Sequence, residues 1–147
     1  MRWKRPLETE RTYPLIGPGD SPPYFDYNSG GAAAVLLTAD HASPYFPAAM
    51  NQLGLADWVL ERHVAWDIGS DQLARFLADE LDAPLVLAGF SRLIVDPNRK
   101  IEHASAFPEI SDGIAIPGNM DLSEEQKALR VQSFFKPYHD RIEWRLH

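Results

Sequence analysis

Residues 32–38 read Ala-Ala-Ala-Val-Leu-Leu-Thr, an apolar run of strand length with Gly31 before it and the polar pair Asp40-His41 behind it. A run this short and this uniformly apolar predicts a strand buried on both faces, as in a parallel sheet; a half-exposed strand would alternate, and a helix needs more length. Two further runs, 85–90 and 93–95, are separated by Ser91-Arg92 and stopped by Asp96-Pro97. They predict either one bent strand or two. In between, residues 55–65 predict a short helix. Asp67 opens a longer one, whose apolar positions Leu73, Phe76, Leu77 and Leu81 follow the 3.6 period until Ala83-Pro84 ends it. Strands alternating with helices define an α/β chain. In open α/β sheets, ligands gather just beyond the C-terminal ends of strands, which is where Asp40-His41 falls.

Residues 1–31 carry repeated Pro and Gly with no sustained period and read as an irregular lead-in, so the domain proper should span 32–147. Residues 97–120, again rich in Pro and Gly, read as a long irregular loop. Ser123-Glu124-Glu125-Gln126 has the spacing of a capping box and starts a last helix, with Leu129, Phe134 and Phe135 inward, a kink near Pro137, and Ile142 and Leu146 continuing the stripe.

Composition narrows the function classes. With 147 residues, 45% of them hydrophobic, the chain can bury a real core as one domain. Its net charge of −7 argues against nucleic acid and anionic membranes as partners. Arg2, Lys4 and Arg5 lack the apolar run that a secretory signal needs behind them, and no segment suits a membrane span, so a cytoplasmic protein is expected. The absence of cysteine leaves only His, Asp and Glu to hold any metal.

Three polar clusters follow the apolar runs, and each has two readings. His41, in Asp40-His41-Ala42-Ser43, can ligate zinc through one ring nitrogen while the other meets a carboxylate, or it can simply cap its loop. In Arg62-His63-Val64-Ala65-Trp66-Asp67, Asp67 can be a carboxylate ligand or the N-cap of the following helix, with His63 closing the preceding one. Arg92 and Arg99 flank an apolar stretch in Ser91-Arg92-Leu93-Ile94-Val95-Asp96-Pro97-Asn98-Arg99. One of them can pair with Asp96 structurally, or it can fork onto a substrate carboxylate with Asp96 as its orienting partner.

In this order, and together with Ile116-Pro117-Gly118-Asn119 and Pro137-Tyr138-His139, these clusters resemble the N-formylglutamate amidohydrolase family. The Asp-x-Asn-Arg ending of the third cluster also looks like the arginine motif of aspartoacylase and the zinc carboxypeptidases. The resemblance implies a three-layer α/β/α zinc-hydrolase-like domain, of which the chain would supply only the N-terminal part. It implies zinc as cofactor, with His41 and Asp67 as ligands and metal-activated water cleaving the formamide of N-formylglutamate or a related N-acyl amino acid. Arg92, Asn98 and Arg99 would hold the substrate's carboxylates, and His63 and His139 fall at positions expected to be catalytic. A further zinc-binding histidine is expected from an Ile-His-Ser segment that has no counterpart here. A truncated or non-catalytic binding module that keeps the fold is the alternative.

Overall fold

The run Leu85–Ala88 is apolar at every position, and in the computed structural model, which describes residues 12–147, it is the central strand of a three-stranded sheet. This strand is β3, after β1 (Tyr24–Tyr27) and β2 (Leu37–Ala39) in chain order. β2 runs parallel to β3, pairing Leu37 with Leu85 and Ala39 with Leu87, while β1 runs antiparallel on the other side, pairing Tyr24 with Ala88. Between β2 and β3 the chain forms the one-turn α1 (Asp57–Leu60) and then α2 (Ser70–Glu80). Because β2 and β3 are parallel, both end on the same edge of the sheet, and the segments that follow them meet there.

Alternate β3 residues serve different cores, as a strand's period of two requires. Leu85 and Leu87 pack with Ala39, Ala42 and Ala78 of α2, whereas Val86 and Ala88 pack with Phe90, Phe134 and Tyr138. Those last two aromatics come from the C-terminal helices: α3 (Glu124–Arg130), a π turn over Val131–Phe135, and α4 (Lys136–Leu146). The π turn precedes Pro137, where the kink is expected. Lys136 N–H bonds back five residues to Val131 O, an over-wide turn placed just before the proline. Ser123 caps α3 through a complete capping box, as its sequence predicts.

Several expectations are corrected. The lead-in is not irregular throughout, because Tyr24–Tyr27 joins the sheet; its first eleven residues, including Arg2, Lys4 and Arg5, lie outside the described ones. β1 can lie this close to β3 because residue 89 is glycine: a Cβ there would sit 2.1 Å from the Pro22 carbonyl oxygen. Only the last part of the 32–38 run is strand, and Val35 is exposed. Residues 93–95 are buried but form a turn rather than a strand. Ser91 Oγ accepts from Leu93 N–H and donates to Ala65 O, so a side chain takes the place of a ladder partner.

The helix before β3 opens at Ser70, three positions after Asp67, with Gly69 in the left-handed conformation as its N-cap. Its apolar stripe is outward: Leu73, Phe76, Leu77 and Leu81 are all exposed, and the helix meets the sheet through Ala74 and Ala78. Leu146 is likewise exposed. Residues 97–120 contain a small hairpin, β4 (Ile110–Ser111) with β5 (Ile114–Ala115). It turns on Asp112-Gly113, both at positive φ, an Asp-Gly hairpin signal present in the sequence.

Candidate functional site

The turn after β2 holds His41, and its backbone carbonyl accepts both Asp67 N–H at 3.0 Å and Ser70 Oγ at 3.2 Å. These bonds pin the start of α2 against the end of β2. They leave the Asp67 side chain free of any capping duty, and it turns to His41, with Oδ2 3.2 Å from Nδ1. On its other side, His41 Nε2 donates to Asp96 Oδ1 at 2.8 Å. Asp96 arrives from the turn beyond β3. Its side chain is only 4% exposed, its N–H is tied to Ala106 O, and its carboxylate also accepts Asn98 N–H.

Arg92 closes the group. Its guanidinium donates to Asp96 Oδ2 at 3.0 Å and reaches Asp67 Oδ1 at 3.4 Å, so both carboxylates are shared between one imidazole and one guanidinium. Burial would depress the His41 pKa, but its hydrogen bond to Asp96 and that carboxylate's charge, helped by Asp67, outweigh both burial and the opposing Arg92 charge. The net effect raises the imidazole above its usual 6.5. For Asp96 the balance runs the other way: burial raises it, while His41, Asn98 N–H and Arg92 together bring it below 3.8.

The donor chemistry suits zinc as far as it goes. Two ligands about 2.0–2.1 Å from a tetrahedral zinc stand about 3.3 Å apart, close to the spacing of His41 Nδ1 and Asp67 Oδ2. The Nε2 bond to Asp96 is the carboxylate that a ligating histidine ordinarily carries behind it. Among the described residues, no group of three or more His, Asp or Glu side chains is arranged to hold a metal, so the structure supplies two candidate ligands.

The side chains of the other sequence candidates lie outside this hydrogen-bonded group, although Asn98 joins it through its backbone N–H. Asn98 and Arg99 are exposed, and Arg99 NH1 donates to Asn98 O. Together with Lys100, Glu102 and His103 they line a surface cleft of about 350 Å³. His63 is exposed and faces Asp112 of the small hairpin at 3.1 Å. His139 lies on α4, with Nε2 3.0 Å from Pro97 O and its ring 4.2 Å from that of Phe135. His103 caps a short turn by accepting Ser105 N–H.

Sequence reasoning missed two structural partners of this region, Asn119 and Arg130. The Arg130 side chain is buried with no carboxylate partner among the described residues and donates to Ile94 O, Gly118 O and Asn119 Oδ1, while burial pulls its pKa down to about 10. Asn119 Nδ2 in turn holds Leu93 O and Pro108 O. The signal lay in an asparagine inside Ile116-Pro117-Gly118-Asn119 and an arginine at the end of an amphipathic helix. Neither residue type announces burial.

No curated protein matches the chain. Its fold is similar to that of the crystal structure of a gene product from Agrobacterium tumefaciens, with a TM-score of 0.87 and 36% sequence identity. That similarity covers 90% of this chain and 52% of the other, so the present chain spans about half the length of that relative. The sequence profile of the N-formylglutamate amidohydrolases matches residues 33–147, a segment that carries every residue of the cluster just described. The chain belongs to the N-formylglutamate amidohydrolase family.

Proposed function

We propose that the chain carries part of the active site of a zinc-dependent amidohydrolase that removes the formyl group of N-formylglutamate or of a related N-acyl amino acid. The observation that carries this reading is the shared group at the sheet edge, with His41 between Asp67 and Asp96 and Arg92 bonded to both carboxylates. Helices against both faces of the sheet suit a three-layer α/β/α zinc-hydrolase-like domain.

In this reading His41 Nδ1 and Asp67 would hold the metal. Bound zinc would supply a water acidified to near neutrality and a polarised amide carbonyl. Asp96 fixes the imidazole ring and tautomer from behind, and its second oxygen keeps the Arg92 guanidinium flat against the site. Arg99, with no carboxylate partner among the described residues, presents its fork to a substrate carboxylate beside Asn98.

The test is to purify the protein without chelators, measure bound zinc, and follow formate release from N-formylglutamate, formyl-aspartate and acetyl-glutamate. Zinc-dependent turnover with the highest kcat/KM for N-formylglutamate is expected. A protein that takes up zinc at neither His41 nor Asp67, judged by His41→Asn and Asp67→Asn, and stays inactive in excess zinc overturns the reading.

A further inference from the structure

Tyr138 and His139 are neighbours on α4, and because successive helical residues diverge by about 100° they address two different segments. The Tyr138 hydroxyl, fully buried, donates to Asp40 Oδ1 at 2.6 Å across 98 positions, and it also bonds the Thr38 side chain of β2. Burial and the Asp40 charge raise its pKa well above 10.0, so it stays a donor at any physiological pH. Pro97 O can only accept, so the 3.0 Å contact with His139 Nε2 fixes that nitrogen as protonated. The His139 ring is itself held between Phe135 and Tyr138.

Asp40 immediately precedes His41, and Pro97 immediately follows Asp96. The path from Tyr138 to Asp40, on to His41, across to Asp96, on to Pro97 and back through His139 is therefore a closed ring of hydrogen bonds and peptide links. Each α4 side chain holds a residue next to one of the site's own groups, Asp40 beside His41 and Pro97 beside Asp96. Both residues follow closely on the π turn over Val131–Phe135.

We propose that Tyr138 and His139 are a positioning pair that sets the His41–Asp96 hydrogen bond by clamping the two segments that carry it. Their importance for catalysis rests on the zinc-hydrolase reading, but the clamp itself does not depend on it.

The experiment uses the full chain, treated with chelator, and observes the His41 Nε2–H proton by ¹⁵N-edited NMR, its resonance identified by loss in His41→Asn. The variants are Tyr138→Phe, His139→Leu and His139→Gln, the last keeping an N–H donor of similar reach. Faster exchange of that proton with water by about tenfold, the weight of roughly one hydrogen bond, is expected in Tyr138→Phe and His139→Leu, with recovery in His139→Gln. Should Tyr138→Phe fail to fold, the His139 pair decides, since that side chain is only half-buried. Unchanged exchange in His139→Leu, or equal loss in His139→Leu and His139→Gln, overturns the clamp. Zinc uptake and formate release, measured in parallel on the unsubstituted chain, report separately on the functional reading.

Discussion

Arg92 and Arg99 are the same residue type on either side of one apolar stretch, and tertiary structure gives them opposite duties. Arg92 is bound to Asp96 and Asp67, whereas Arg99 touches no carboxylate among the described residues. On the proposed amidohydrolase reading, Arg99→Lys should leave stability within about 1 kcal/mol while weakening N-formylglutamate binding about tenfold, because lysine keeps the charge and loses the planar fork. Calorimetric titration beside thermal melting checks this; unchanged affinity with a collapsed Tm would make Arg99 scaffold. Asp96→Ala strands the buried ends of His41 and Arg92 and should cost on the order of 3 kcal/mol, below the top of the range for buried pairs because Arg92 is partly solvated.

The same residues set a pH dependence for the chelator-treated protein. His41 is raised above 6.5 in the folded state, so its contribution is complete below 6.5 and is lost as pH rises through the folded value. Asp96 is lowered below 3.8, so its contribution is complete above 3.8 and is lost as pH falls through the folded value. Tm should thus decline on the alkaline side, and His41→Asn should flatten that decline. A slope that survives in His41→Asn would assign it to another group.

At the scale of elements, α2 shows how far periodicity reaches. Its 3.6 spacing correctly marks a helix, but the large apolar residues lie on the exposed side and the sheet is met by Ala74 and Ala78. Small residues allow a helix to approach β2 and β3 closely, which hydrophobicity alone does not reveal. Leu73→Gln and Phe76→Gln should shift stability by no more than about 0.5 kcal/mol, whereas Ala78→Leu, at a position with no exposure, should cost about 1–3 kcal/mol through overpacking. Urea melts of the three variants discriminate, and the reverse ranking would mean that the apolar face is packed. α3 is the opposite case: its capping box is a local device and was readable residue by residue.

Across the whole molecule, Arg130 joins elements that are remote in sequence. It reaches Ile94 ahead of Asp96, and Gly118 and Asn119 beyond the hairpin, and so holds the long 97–120 loop to the site-bearing turn. Lysine cannot serve three acceptors from one planar group, so Arg130→Lys should destabilise the protein by about 2–3 kcal/mol. It should also loosen the Asp96 turn, read as faster amide exchange at Ile94 and Asp96. A variant as stable as the parent would show that water can replace the guanidinium there.

Local chemistry determined the strand at Leu85–Ala88, the cap at Ser123, the restriction of any metal to His, Asp and Glu, and the polar clusters behind the apolar runs. Each depends on neighbours a few positions away, so the chain itself carries the information. Tertiary structure alone decided that Asp67 turns to His41 instead of capping a helix, that Asp96 serves Arg92 and not Arg99, and that Arg130 is buried against carbonyl and amide oxygens. Those outcomes are set by which carbonyls and carboxylates the parallel pairing of β2 with β3 brings to one sheet edge. A buried donor takes whatever acceptor the fold delivers, and no spacing in the sequence encodes that delivery.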